Sequence, residues 1–133
     1  MTDTVARTEK RLVEIDAATL CGWLSSDMAV LVDVREPWEF AQDRIVGAIN
    51  LPLSQFDTHK LPAGDGRRIV LTCAVGRRAA QAAGIVLAAG WDKVTCLRDG
   101  MLSWEAADFG TVSDEPVQDL FPLDNVIASC APA

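Results

Sequence analysis

Two short runs, Ala29-Val-Leu-Val-Asp-Val34 and Arg68-Ile-Val-Leu-Thr72, constrain the fold of this chain more than any other feature. Both are almost continuous stretches of Val, Leu and Ile with no polar alternation. A strand with one face in water alternates, whereas a strand covered on both faces does not, and double coverage is the condition of a parallel sheet flanked by helices. The surrounding segments agree. Leu12 to Ile15 reads as a short strand, and Asp16 can cap a helix whose apolar positions Leu20, Trp23 and Leu24 have helical spacing. Pro37-Trp-Glu-Phe40 suits the first turn of a second helix, with Pro at its first position. Ile45 to Leu51 reads as a strand with an irregularity at Gly47, ended by Pro52. Ala63-Gly-Asp-Gly66 is turn chemistry, and an alanine-rich helix is predicted from Arg78 to Ala89, stopped by Gly90. Val94 to Leu97 gives another strand, Asp99-Gly100 a turn, and Met101 to Ala107 a short helix. Strands alternating with helices imply right-handed crossovers in an α/β, three-layer domain with a mostly parallel sheet.

The chain has 133 residues, enough for one ordinary domain with a short extension. Its net charge of −7 argues against a nucleic-acid partner, which requires a basic stripe. That charge is unevenly placed. Residues 105–133 hold six acidic and no basic side chains, while the first 104 carry 12 basic and 13 acidic ones. From about Thr111 the periodic pattern dissolves into prolines and scattered acids. The expected division is therefore a domain over 12–110 and an acidic C-terminal extension over 111–133, ordered only if Val117, Leu120, Phe121, Val126 and Ile127 dock on the domain. The polar N-terminus has no apolar signal region, and the longest apolar stretch, Ala79 to Trp91, is too short to span a bilayer. These features predict a soluble, cytoplasmic protein without a membrane partner. Cys21, Cys73, Cys96 and Cys130 form no C-x-x-C pair, so free thiols are expected rather than a metal site.

Cys73-Ala-Val-Gly-Arg-Arg78 is the segment that carries chemistry. A cysteine at the carboxyl end of a buried central strand, followed by a tight loop that opens a helix, lies where open α/β sheets bind ligands. The N–H groups of Ala74, Val75, Gly76, Arg77 and Arg78, backed by a helix N-terminus, are suited to cradle an anion. A thiolate is such an anion, which makes Cys73 the candidate nucleophile. Gly76 permits a positive φ or a close backbone approach. The plain alternative is a small core cysteine, but core packing requires neither a glycine nor paired arginines after the thiol.

Val32-Asp-Val-Arg35, Glu39-Phe40, Gly47-Ala-Ile-Asn-Leu-Pro52, the cysteine loop and Leu97-Arg-Asp-Gly-Met-Leu-Ser-Trp104 follow one another in an order and at a spacing that resemble the single-domain rhodaneses. The resemblance covers roughly residues 12–110. It implies a five-stranded parallel sheet flanked by helices, and a cysteine that cycles between thiolate and persulfide without a metal or organic cofactor. Cys73 would take the outer sulfur of a small sulfur-containing anion such as thiosulfate and pass it to a thiol, protein or other thiophilic acceptor. The related phosphatases and arsenate reductases use a longer loop with arginine six places after the cysteine, where this chain has Ala79. Two departures stand out: Asp43-Arg44 where many members have Gly-His, and Asp99-Gly100 where the late motif usually has Gly-Gly.

Other residues divide between function and packing. Asp33 and Arg35 end a buried strand beside the loop. They either support the loop and its potential or form a structural pair, Arg35 with Asp33 or Glu39. Arg78, the sixth loop residue, is favoured over Arg77 for contact with the donor. His59 reads as a solvated loop residue, Cys96 as packing, and the tryptophans as core or edge fillers, with Trp104 conceivable at a pocket mouth. Cys130 is expected to be inert, although it could accept sulfur from Cys73. Two rivals use the same fold: a binding or regulatory module whose thiol is idle and whose acidic tail recruits a partner, and a persulfide sensor modified without steady turnover.

Overall fold

The two apolar runs lie side by side at the centre of the sheet. In the computed structural model, which describes residues 11–62 and 65–114, the strands are β1 (Arg11–Ile15), β2 (Ala29–Asp33), β3 (Ile49–Asn50), β4 (Arg68–Thr72) and β5 (Lys93–Leu97). Their spatial order is β1-β5-β4-β2-β3 and every pair is parallel. The helices are α1 (Ala17–Ser25), α2 (Pro37–Gln42), α3 (Arg77–Ala88) and α4 (Gly100–Ala106), with single 3-10 turns at Leu53–Gln55 and Thr58–Lys60. Among the described residues no helix is long and apolar enough to cross a membrane.

Successive residues of a strand point to opposite faces, so each central strand supplies both cores. Val32, Leu71 and Cys96 join α3 residues Ala79, Ala82, Ala83 and Val86 on one face. Their neighbours Leu31, Val70 and Leu97 join Leu20 and Cys21 of α1 and Met101 and Trp104 of α4 on the other. This is the three-layer arrangement that the continuous apolar runs imply. The buried alanines of α3 have a positional consequence. Three of its four buried residues are alanines, which let α3 pack close to the sheet, and a larger side chain at one of them would overpack the interface, typically by about 1–3 kcal/mol.

The segment from Ile45 to Leu51 is less regular than its composition suggests. Only Ile49 and Asn50 pair with β2, because Gly47 turns the chain at φ +87° and Ile45 is drawn into the core shared by α1 and α4. The Asn50 amide compensates by donating to the Asp33 and Arg35 carbonyls at 3.0 and 2.9 Å. Beyond α4, Val112 forms an antiparallel bridge with Arg44, and the Asp114 N–H donates to the Ala41 carbonyl at 2.9 Å. The chain thus remains attached to the domain through Asp114, past the pattern change near 110. The apolar residues expected to anchor the tail, from Val117 to Ile127, and Cys130 lie outside the described residues.

Candidate active site

β4 is central and parallel to both neighbours, so its carboxyl end opens between β5 and β2 with the crossover loops around it. Cys73 is the first residue past β4 and is 1% exposed. Its Sγ accepts two backbone hydrogen bonds, from the Gly76 N–H at 3.1 Å and the Ala79 N–H at 3.2 Å. The Ala79 amide belongs to the first turn of α3, where backbone N–H groups have no partner within the helix, and the helix dipole adds positive potential at that end. Gly76 adopts φ +102°, ψ −17°, the left-handed conformation that turns the loop back over the sulfur and that L side chains rarely adopt. Ala74, Val75 and Gly76 thus form the turn, and Arg77 and Arg78 open α3. Of the loop amides expected to face the anion, Gly76 donates to the sulfur, whereas those of Ala74, Val75, Arg77 and Arg78 make no hydrogen bond to it; the second donor, Ala79, lies one residue beyond the expected span. Only the usual partnerless amides of a helix N-terminus could have signalled it.

The two arginines have different environments. Arg78 donates from both terminal nitrogens to Glu39 of α2, at 2.6 and 3.0 Å, and Glu39 also accepts the Glu36 N–H at 2.9 Å. Arg78 holds the Glu39 carboxyl below its usual range although burial acts the other way, and Glu39 in turn raises the Arg78 pKa. Such bidentate pairing fixes geometry as well as charge. It offsets the unfavourable placement of a cation at a positive helix end and braces the loop against α2. The residue favoured by sequence for donor contact is therefore engaged by a carboxylate. Arg77 is exposed and makes no ion pair or hydrogen bond among the described residues.

Asp33 and Arg35 form a buried pair behind the loop. The Asp33 carboxylate accepts the Arg35 Nε at 3.0 Å, its Nη2 at 2.8 Å and its backbone N–H at 3.0 Å. Arg35 also donates to the Asp43 carboxylate at 3.3 Å and to the Asp43 carbonyl at 2.6 Å. Burial alone would lower the Arg35 pKa, but the bonds to Asp33 and Asp43 outweigh it and raise it. This pair ties the end of β2 to the C-terminal end of α2, the helix from which Glu39 reaches Arg78. Asp43, one of the departures from the family pattern, here takes part in that tie, and its successor Arg44 holds the C-terminal segment. Asp99, the other departure, takes φ +59°, a left-handed conformation that Asp tolerates better than most residues.

The remaining candidates fall outside the cradle. Cys96 is buried in β5, and its thiol donates to the Ala79 carbonyl at 3.7 Å. Burial pushes its pKa up to about 12, with the Cys73 charge adding to the effect. His59 is almost fully exposed and pairs with Asp57 at 3.1 Å. Trp104 is a core residue whose Nε1 donates to the Gly110 carbonyl at 3.0 Å and whose ring contacts Phe109. Among the described residues no three His, Cys, Asp or Glu side chains converge as metal ligands. Nothing in the sequence signals the pairing of Glu39 with Arg78, which joins residues 39 positions apart, although Glu39 lies in one of the family-like motifs.

The fold defines a class, an α/β domain with a five-stranded parallel sheet, and at the end of its central strand a buried sulfur accepts two backbone N–H groups. The family model for the rhodanese-like domain matches residues 16–107, and the chain belongs to that family. It is 31% identical over 103 residues to a sulfurtransferase of Allochromatium vinosum, a match spanning 77% of this chain and 96% of the relative. An uncharacterized protein of Synechocystis is 37% identical over 100 residues, covering 75% of this chain but only 56% of that longer relative. Among solved structures, a rhodanese-related protein from Thermoplasma volcanium superposes with a TM-score of 0.66 at 29% identity, over 77% of this chain and 99% of the other. A thiosulfate sulfurtransferase from Pseudomonas aeruginosa gives 0.64 at 28% identity, covering 79% of this chain and 20% of the other.

Proposed function

We propose that the protein is a sulfurtransferase that moves a sulfane sulfur from thiosulfate or a related donor to a thiophilic acceptor through a persulfide on Cys73. The observation that carries this proposal is the pair of N–H bonds on a buried Cys73 sulfur, which suits an anion and which an idle core thiol does not need. In the first half-reaction the Cys73 thiolate attacks the outer sulfur of thiosulfate. A Cys73 S–S bond forms, the donor S–S bond breaks, and sulfite leaves with the electron pair. In the second, an acceptor thiolate or cyanide attacks the outer sulfur of the persulfide, and Cys73 departs as thiolate. This is covalent catalysis in two displacements, with ping-pong kinetics. The loop amides stabilise the anionic sulfur in both, as preorganised donors do in an oxyanion hole. Arg77 attracts the anionic donor, while Arg78 keeps the loop in place through Glu39. A cytoplasmic setting fits Cys73 and Cys96, which form no disulfide among the described residues.

Incubation with thiosulfate, followed by intact-mass measurement, tests the proposal. One added sulfur atom per chain is expected, removed by cyanide and never gained by Cys73→Ser. Wild-type protein that takes up no sulfur, or a Cys73→Ser variant that does, overturns it.

A further inference from the structure

Each peptide unit carries its N–H and C=O on opposite sides, so a loop that turns its amides toward a sulfur must direct carbonyls elsewhere. The Gly76 N–H on the sulfur belongs to the peptide that follows the Cys73 and Ala74 carbonyls, and those two carbonyls turn outward to meet α4. The Cys73 C=O accepts the Met101 N–H at 2.8 Å, and the Ala74 C=O accepts the Leu102 N–H at 3.0 Å. Both donors belong to the first turn of α4, where they have no partner within the helix, and the Asp99 side chain makes no cap bond to supply one. The partnerless donors of the helix and the outward acceptors of the loop therefore satisfy one another.

This exchange requires a very close approach of two backbones. A Cβ on Gly100 would overlap the Cys73 carbonyl oxygen and would stand 2.9 Å from the Cys73 carbonyl carbon and 3.0 Å from that of Ala74. Gly100 also adopts φ +55°. The supporting helix is itself anchored, because Met101 and Trp104 are buried in the core and the Ser103 hydroxyl donates to the Arg98 carbonyl at 2.7 Å.

We infer that Gly100 is a positioning residue of the sulfur-transfer reaction, and that the Met101 and Leu102 amides fix the Cys73 and Ala74 peptides so that the Gly76 amide, on the next peptide, reaches the sulfur. The inference rests on the persulfide chemistry proposed above. In Gly100→Ala the added methyl pushes the Cys73 peptide away. In Leu102→Pro the donor to Ala74 is deleted and the ring Cδ takes the place of its hydrogen, so the Ala74 carbonyl is both unbonded and displaced, within the first helical turn where no intrahelical hydrogen bond is lost.

Single-turnover loading with thiosulfate, quenched and read by intact mass, tests this. Gly100→Ala and Leu102→Pro are expected to load at least about tenfold more slowly than wild type, since displaced anion-hole donors have large effects on rate. Both are expected to reach the same end point of one sulfur per chain. Leu102→Ala, which keeps the amide, should recover the rate lost in Leu102→Pro. A merely structural role would instead lower the end point, by reducing the fraction of competent protein, and that result overturns the inference. So does wild-type loading speed in either folded variant. If Gly100→Ala does not fold, the contrast between Leu102→Pro and Leu102→Ala decides by the same criteria. Wild-type protein that takes up no sulfur would refute the persulfide chemistry instead. The inference would then be decided by the alkylation rate of Cys73, which needs no sulfur donor and should fall in both variants.

Discussion

Cys73 and Cys96 stand at neighbouring positions of the sheet, one just past β4 and the other within β5, and both are at least 96% buried. Burial therefore does not distinguish them. What differs is the backbone group each sulfur meets, and one residue supplies a group to both. The Ala79 N–H points at Cys73 as a donor, while the Ala79 carbonyl accepts from Cys96. A sulfur facing amides is held as an acceptor, the role that suits an anion. A sulfur facing a carbonyl is held as a protonated donor; burial, with the Cys73 charge, also pushes the Cys96 pKa up to about 12. What the two sulfurs meet thus depends on peptide orientation, which the turn at Gly76 and the packing of α3 set together.

The contrast breaks most completely if the nucleophile is removed. Cys73→Ser should lower the sulfur-transfer rate by more than about a thousandfold, whereas Cys96→Ala should retain sulfur uptake. Steady-state transfer from thiosulfate to cyanide checks both. Gly76→Ala comes next, because a side chain at φ +102° strains the turn by about 1–2 kcal/mol. The turn also carries one of the two amides on the sulfur, so a rate loss of about tenfold to a hundredfold is expected, with far-UV circular dichroism unchanged. Comparable activity in this variant would show that the turn does not set the cradle.

The smallest effect concerns the brace. Glu39→Gln removes one charge of the Arg78 pair, and a partly exposed pair of this kind contributes at most about 1 kcal/mol. The sign with pH follows from the Glu39 pKa, which Arg78 depresses in the folded protein. Its stabilisation is fully present above the unfolded carboxylate value of about 4.3 and is lost as pH falls through the lower folded value. Thermal midpoints of wild type and Glu39→Gln should therefore differ near neutrality and converge in acid. A difference that is the same at all pH values would show that the charge is not what braces the loop.

The fold was readable where composition and burial coincide. β2 and β4 are covered on both faces, and the unbroken Val, Leu and Ile runs report that directly. Cys73 was readable for the same reason, since the loop after a buried strand combines a thiol, a glycine and two arginines. The ligand of Arg78 was not, because the pair with Glu39 depends on how α2 and α3 meet. The Ala79 amide was not, because a backbone donor leaves no mark in residue type. The segment from Ile45 to Leu51 looked like a longer strand because its composition is that of a strand, while the positive φ at Gly47 shortens the pairing.

The central claim is that backbone orientation, not burial, selects the sulfur carrier. Mapping persulfides by differential thiol labelling and peptide mass spectrometry after thiosulfate treatment tests it most directly. The account predicts that Cys73 carries the added sulfur and that Cys96, also buried, remains a thiol until the protein is denatured. Sulfur on Cys96 in the native protein, or none on Cys73, would contradict it.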